Sequence, residues 1–239
     1  SDLTLIPACK KRFAKFEFRY RENMGLTATL NEGIRISNGK YFCECASDDI
    51  YMPNKIEKQV EFMEAHPEYG MCHSNVIIKD GDKMIKYVWK KNKELTFDDL
   101  LFENEIIALS VMIRKDVFET VGNFDESLYL EDWDMWLRIA NNGYKIGFMS
   151  DFLGVYRRHE TNTSKNLEKM EEAVNKTLSK WKTHPSYDKA LRKLYLDRFV
   201  YYSGVNRKRA LEYFFKAKTI NKKAIRGLVK LFTPYLYYL

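Results

Sequence analysis

Residues 122–138 read GNFDESLYLEDWDMWLR, and this stretch combines clustered carboxylates with an amphipathic, tryptophan-containing pattern. Glu131 and Asp132 stand at the start of a predicted helix, where the positive end of the helix dipole favours negative charge. The Asn142-Gly143 pair that follows is typical of a helix end. The pattern therefore predicts a helix over residues 131–141 with an acidic first turn.

A second acidic pair lies upstream, directly after a short apolar run at residues 41–46. The run predicts a strand, and Asp48 and Asp49 follow its end. Ligands of open α/β sheets bind beyond the carboxyl ends of strands, which makes this pair a candidate binding site. An equal alternative is that residues 47–49 only cap the helix that opens near Pro53.

Strand and helix patterns alternate through the first two thirds of the chain and then give way to helices alone. This order predicts an α/β fold, a mixed sheet flanked by helices whose early strands are parallel. We divide the chain into residues 1–163 and a C-terminal helical region, residues 164–239. The helices predicted there cover residues 167–181, 187–202, 207–220 and 222–238.

Composition and charge are compatible with several classes of binding partner and do not identify one. The chain is 45% hydrophobic with a net charge of +7, which suits a phosphorylated substrate, an anionic lipid or a nucleic acid. No recognised nucleic-acid motif accompanies the charge, so no nucleic-acid partner is predicted. No apolar run approaches the roughly 20 residues that span a bilayer. We expect a cytoplasmic protein.

The four cysteines are Cys9, Cys43, Cys45 and Cys72, and they lack zinc-ribbon spacing. Reduced, buried cysteine in a cytoplasmic protein is the favoured interpretation. A metal site built from the last three cysteines with His73 is the alternative.

Two separated carboxylate clusters fit sugar transfer from a nucleotide donor. A hard divalent cation on one or two carboxylates offsets the donor diphosphate and stabilises its departure. Asp49 is the predicted ligand, and Asp48 the contact to the donor sugar or ribose. The attacking hydroxyl needs a base on the opposite face. Asp132 is the candidate, with Glu131 orienting the acceptor or sharing the proton. The alternative is an ordinary amphipathic helix with an acidic first turn.

Ordered motifs in the first two thirds of the chain resemble glycosyltransferase family 2, whose members are inverting enzymes of the GT-A fold. Each motif is weak alone, but their order over roughly residues 15 to 164 is specific. The motifs are residues 31–34 (NEGI), 38–41 (NGKY), 47–49 (SDD), 110–114 (SVMIR), 121–126 (VGNFDE), 131–138 (EDWDMWLR) and 156–159 (YRRH).

The resemblance implies a nucleotide-sugar donor, most simply a UDP-sugar, a Mn²⁺ or Mg²⁺ ion and an inverting single displacement. By the matching motifs Asp49 would be the metal ligand and Asp132 the base. A loop carrying His159 would close over the diphosphate. The remaining candidates are Asn31, Asp48, Arg158 and Ser164 on the donor side, His159 at the metal and Trp133 on the acceptor side.

One departure from the family concerns the start of the chain. The strand–helix–strand segment that opens family members and holds the nucleotide base is not recognisable before residues 1–2. We therefore expect the GT-A-like unit to be N-terminally incomplete, by about one βαβ unit's 30 residues or more.

The last predicted helix, residues 222–238, is basic and ends in an apolar, tyrosine-rich sequence. Such helices lie in membrane interfaces, so peripheral membrane contact is one interpretation. A helical cap on the catalytic unit, or a dimer surface, is the other. For the chain as a whole, a glycan or lipid-linked acceptor is expected. A non-catalytic glycan-binding or assembly module on a degenerate GT-A fold is the alternative function.

Overall fold

The computed structural model describes residues 17, 19, 22–88, 94–160, 162 and 166–232. The helices are α1 (Leu26–Ile36), α2 (Lys55–Ala65), α3 (Phe97–Phe102), α4 (Val117–Val121), α5 (Glu131–Asn141), α6 (Leu167–Ser179), α7 (Tyr187–Tyr202), α8 (Arg207–Ala217) and α9 (Lys222–Phe232). The strands are β1 (Tyr41–Phe42), β2 (Ile50–Tyr51), β3 (Tyr69–Asp80), β4 (Lys83–Tyr87), β5 (Met112–Arg114) and β6 (Lys145–Arg158).

The strands form one mixed sheet in the order β1-β5-β3-β6-β2, with β4 added to β3 as a hairpin. β3 and β6 pair in parallel, and the other pairs are antiparallel. β1 and β3 run in the same direction, as predicted, but they are not neighbours because β5 lies antiparallel between them. The sequence pattern predicts two strands, residues 145–149 and 153–157, but in the structure both belong to one strand, β6.

The hydrophobic core lies between the sheet and α5. Met135, Leu137 and Ile139 are completely buried, and Trp136 is almost so, which confirms that Trp136 belongs to the core. The periodicity of α5 explains this packing, since its apolar residues recur on the side that faces the sheet. The first turn of α5 is therefore held rigidly at the edge of the core.

The cysteines within the described residues are free thiols: Cys43 half-buried, Cys45 exposed and Cys72 buried. Burial raises the pKa of Cys72 to about 12, which keeps this thiol protonated and unreactive. The prediction of buried cysteine therefore holds for Cys72 but not for Cys45. Cys9 lies outside the described residues.

The C-terminal helices attach to the sheet unit through α6 and the start of α7. Leu178 and Ala190 join the same core cluster as α5, and Val174 packs against it. Lys180, just after α6, forms ion pairs with the buried Asp134 (2.7 Å) and with Asp125 (2.9 Å). The remainder of α7 packs with α8 and α9 into a second cluster. Within the described part of the chain, every helix is too short or too polar to cross a membrane.

Candidate active site

Strand pairing brings the first acidic pair to the end of β6. In the antiparallel register Ile50 lies opposite Val155, and Tyr51 lies opposite Gly154. Two residues further along the same register, Asp48 comes opposite Arg157, although 109 residues separate the two in sequence. The end of β6 therefore supplies the partners of this pair.

We name Asp48, Asp49, Arg157 and His159 the paired edge. Asp48 Oδ2 lies 2.6 Å from His159 Nε2, and Arg157 Nε donates to the Asp48 carbonyl oxygen. The Arg157 backbone N–H donates to Asp49 Oδ1 over 2.9 Å. The hydrogen bond from His159 lowers the pKa of Asp48, whereas burial raises the pKa of Asp49. Asp48 is therefore the more readily ionised of the two.

The paired edge has the ligand types that a divalent cation takes. Asp48 and His159 face each other, and Asp49 keeps one carboxylate oxygen beyond the one bonded to Arg157. Within the described ranges, no three His, Cys, Asp or Glu side chains form a complete metal site. A diphosphate-bound Mg²⁺ or Mn²⁺ needs only one or two protein ligands, because phosphate and water supply the rest. The residues present fit such an ion.

We name Glu44, Glu131 and Asp132 the acidic pocket. Burial, and then the nearby charge of Asp132, raise the pKa of Glu131 to about 7. Burial raises the pKa of Asp132 to about 6. Hydrogen bonds from the Trp133 backbone N–H (2.5 Å) and the Asn104 side chain oppose that rise. The pKa values of Glu131 and Asp132 are therefore both raised toward neutral pH.

Glu44 connects the acidic pocket with the paired edge electrostatically, and it is not among the site residues that the sequence predicts. Burial raises its pKa to about 8, and the charges of Asp132, Glu131 and Asp49 add to the rise. Because Glu44 interacts with both clusters, they share one electrostatic environment. The available signal was a single acidic residue inside the apolar run at residues 41–46.

A cavity of about 240 Å³ lies beside the acidic pocket, between the sheet unit and the C-terminal helices. Asn104, which hydrogen-bonds Asp132, forms part of its wall. Its charged residues pair with one another, since Lys193 lies 3.3 Å from Glu103 and 3.1 Å from Asp197. The apolar lining is Leu101, Phe102, Leu130, Trp133, Met170, Val174, Leu178, Ala190 and Leu194.

Residues 6–122 match the family model described as Glycosyl transferase family 2. The chain belongs to glycosyl transferase family 2. The matched range includes Glu44, Asp48 and Asp49, whereas the first turn of α5 lies beyond it. The match therefore covers part of each cluster, and Arg157 and His159 of the paired edge also lie beyond it.

Curated relatives carry glycosyltransferase names. Amylovoran biosynthesis glycosyltransferase AmsE of Erwinia amylovora is 31% identical over 134 residues, which are 55% of this chain and 50% of AmsE. An uncharacterized glycosyltransferase of Rickettsia prowazekii is 31% identical over 183 residues, which are 70% of this chain and 56% of that relative. The chain spans about half the length of the curated relatives it matches.

Solved structures with the same fold confirm the GT-A architecture of this family member. Staphylococcus aureus TarS 1–349 in complex with UDP-GlcNAc has a TM-score of 0.60 at 14% identity, covering 98% of this chain and 69% of TarS 1–349. The mannosyltransferase PcManGT from Pyrobaculum calidifontis, in complex with GDP-Man and Mn²⁺, has a TM-score of 0.54 at 13% identity. That match covers 98% of this chain and 76% of PcManGT.

Two residues that the family resemblance placed on the donor side have other surroundings. Asn31 Nδ2 donates to the Phe124 carbonyl oxygen and to Glu126 Oε1, both over 3.0 Å, and its Oδ1 accepts from Phe124 N–H. Asn31 therefore shapes the loop before α5. Arg158 is exposed, and the aspartates are contacted by Arg157 instead.

Trp133 also differs from its expected setting. The side chain is 5% exposed, and its Nε1 donates to the Leu100 carbonyl oxygen over 2.8 Å. Its ring forms part of the wall of the apolar cavity. Ser164, the last donor-side candidate, lies outside the described residues.

Proposed function

We propose that this chain catalyses an inverting, metal-dependent transfer of a sugar from a nucleotide-sugar donor to a glycan or lipid-linked acceptor. The observation that carries the proposal is the position of Glu44, whose pKa responds to Asp49 as well as to Glu131 and Asp132. A site for the diphosphate and a site for a proton acceptor therefore lie within electrostatic reach of each other. Single displacement at a sugar carbon requires both.

The donor diphosphate is proposed to lie at the paired edge. Asp48 and His159 would hold a divalent cation, and when bound it would act as a Lewis acid on the departing diphosphate. We favour Asp48 over Asp49 as the ligand, because the hydrogen bond from His159 lowers the pKa of Asp48, whereas burial raises the pKa of Asp49. The Arg157 side chain braces the loop through the Asp48 carbonyl oxygen and adds positive charge.

The ligands bound in the similar solved structures support a choice of donor. TarS was solved with UDP-GlcNAc and PcManGT with GDP-Man and Mn²⁺, which supports a nucleotide sugar and a divalent ion here. A UDP-sugar is our first choice because TarS has the higher TM-score of the two.

Asp132 is the proposed general base. At neutral pH a carboxyl with a pKa of about 6 is ionised, whereas Glu44, at about 8, keeps its proton. Asp132 would accept the proton of the acceptor hydroxyl while that oxygen bonds to the anomeric carbon and the sugar–diphosphate bond breaks. Glu131 would orient the hydroxyl or share the proton. Attack from the side opposite the diphosphate inverts the anomeric centre.

The cavity beside Asn104 supports an acceptor with an apolar part, such as a lipid-linked glycan, because its wall is largely apolar and its charges are internally paired. The name of AmsE supports a place in polysaccharide biosynthesis. The free thiols are consistent with the cytoplasmic location that we propose.

A thermal-shift panel tests the proposed function. The 239-residue chain is heated with UDP-GlcNAc, other UDP-sugars and GDP-Man, each with Mn²⁺ or with EDTA. A bound donor stabilises the native state by mass action, so at least one nucleotide sugar should raise the melting temperature only when Mn²⁺ is present. A positive sugar is then assayed for turnover. No shift with any donor contradicts the proposal, and binding without turnover supports the glycan-binding or assembly module instead.

A further inference from the structure

The last described helix, α9, exposes an apolar stripe. Ile225, Val229 and Phe232 are 53%, 48% and 70% exposed. Their spacing of four and then three residues brings them to one side of the helix. Large apolar side chains scattered singly over a surface are ordinary, but an aligned set of this kind marks an interaction site.

The stripe cannot turn inward, because another side of α9 is already docked. Ala224, Gly227 and Leu231 are buried in the cluster formed with α7 and α8. A side chain at Gly227 would collide with the ring of Phe199, so the two helices approach closely at that glycine. This contact fixes the rotation of α9 and leaves the stripe pointing away from the cluster.

The basic charge around the stripe favours an anionic binding partner. Between residues 213 and 239 the sequence has six basic residues and no acidic one. On α9, Lys222 and Arg226 each precede a residue of the stripe by three positions, Ile225 and Val229 respectively. They therefore lie along one side of the stripe. Lys223 is neutralised by an ion pair with Asp197 of α7. A second copy docking through the same stripe would bring like charges together, whereas an anionic surface would meet opposite charge.

Apolar groups continue beyond α9 in the same helical unit. On α8, Leu211 and Phe215 are exposed at a spacing of four residues, and Ile220 is exposed in the turn before α9. An amphipathic helix with a basic border and bulky apolar residues suits the interface of a bilayer, where the apolar side enters the acyl boundary and the basic side meets headgroups.

We propose that α9 docks on an anionic lipid bilayer, with Ile225, Val229 and Phe232 inserted and with Lys222 and Arg226 at the headgroups. This inference does not depend on the sugar-transfer chemistry, and either could fail without the other.

Vesicle flotation of the full 239-residue chain tests the proposal. The chain is mixed with phosphatidylcholine vesicles or with vesicles containing about 30 mol% phosphatidylglycerol. The wild type should float with the anionic vesicles, more weakly with the neutral ones, and less at high salt. Ile225→Ser/Val229→Ser/Phe232→Ser should reduce recovery on anionic vesicles by roughly tenfold or more. Met84→Ser/Ile85→Ser, at exposed apolar residues of β4, is the matched control and should float like the wild type.

A second variant guards against misfolding of the first. Lys222→Gln/Arg226→Gln leaves the stripe intact and should remove the preference for anionic vesicles. Wild-type protein that stays in solution with anionic vesicles overturns the proposal, as does undiminished flotation of both variants. Light scattering tests the alternative binding partner, a second copy of the chain, by measuring the oligomeric state. A wild-type dimer that the triple serine variant converts to a monomer, without vesicle binding, would assign the stripe to a second copy and overturn the lipid proposal.

Discussion

The paired edge and the acidic pocket both hold carboxylates, but they differ in what compensates the negative charge. In the paired edge, Asp48 lies against His159, and Asp49 accepts a backbone N–H from Arg157. In the acidic pocket, the neighbouring charges that shift Glu44 and Glu131 are all negative among the described residues. The pKa of Asp48 consequently falls, whereas burial raises the pKa of Asp49 and those of the three pocket carboxyls.

This difference shows how one sheet edge can serve two kinds of chemistry. A compensated carboxylate stays ionised and is suited to hold a cation and an anionic leaving group. A buried carboxyl without a cationic partner titrates near neutral pH and can exchange a proton with a substrate. Glu44 is coupled to both clusters, because carboxylates of both raise its pKa.

The largest expected effect comes from the acidic pocket. Asp132→Asn removes the proposed proton acceptor but keeps the shape of the side chain. We expect kcat to fall on the order of 10³-fold. Donor affinity, measured by calorimetry with Mn²⁺, should stay within about twofold of the wild type, because the proposed base acts on the acceptor proton and not on donor binding. Glu126→Gln, at the exposed partner of Asn31, is the matched control and should retain activity. Near-normal turnover of the Asp132 variant would place the base elsewhere.

The next effect separates the two aspartates of the paired edge. Asp48→Asn should weaken Mn²⁺-dependent binding of the nucleotide sugar by roughly 10- to 100-fold, because it removes a charged ligand that faces His159. Asp49→Asn should cost less, because its role here is to accept the Arg157 N–H. Calorimetric titration with and without Mn²⁺ measures both. If Asp49→Asn has the larger effect, Asp49 is the metal ligand, as the sequence predicted, and the proposal of Asp48 is wrong.

A smaller effect concerns stability and pH at Glu44. Its folded-state pKa of about 8 exceeds its ordinary value of 4.5, so the folded protein favours the protonated carboxyl. The stabilisation is present below about pH 4.5 and is lost as pH rises to 8. Glu44→Gln stays neutral, and it should be more stable than the wild type at pH 8 by on the order of 2 kcal/mol.

Chemical denaturation at pH 5 and pH 8 checks this expectation, with the variant's advantage growing toward pH 8. The same variant should keep its kcat/KM above pH 8, where ionisation of Glu44 in the wild type adds repulsion against the donor diphosphate. An advantage that is equal at both pH values would show that Glu44 does not titrate in this range.

The smallest expected effect comes from Asn104, which lines the cavity and hydrogen-bonds Asp132 of the acidic pocket. The Asn104 side chain hydrogen-bonds Asp132 and lowers its pKa, so Asn104→Ala should raise that pKa. The rate of a base-catalysed step increases as the base loses its proton. The acid limb of kcat/KM, expected near pH 6, should therefore move to higher pH by less than about one unit. A downward movement would contradict the assigned hydrogen bond.

Local patterns predicted much of the fold. α7 was predicted with the bounds that the structure gives, and α5 with its acidic first turn and its end at residue 141. The sequence Asp80-Gly81-Asp82 predicts a hairpin turn, and the structure has the β3–β4 hairpin there, with a φ of +56° that suits Gly81. These features depend on residues within one or two helical turns of each other. The union of residues 145–157 into one strand was missed, because the continuous pairing with β3 overrides the local break in the pattern.

The sequence by itself determined the family, several of the helices and the two acidic clusters, since motif order, periodicity and capping are local properties of the chain. Only the tertiary structure decided which groups meet. Asp48 contacts His159 across 111 residues, and Glu44 interacts with carboxyls of α5. It also placed Asn31 and Trp133 in structural roles. The physical reason is that such contacts depend on strand register and helix packing, which join distant segments and which no local pattern encodes.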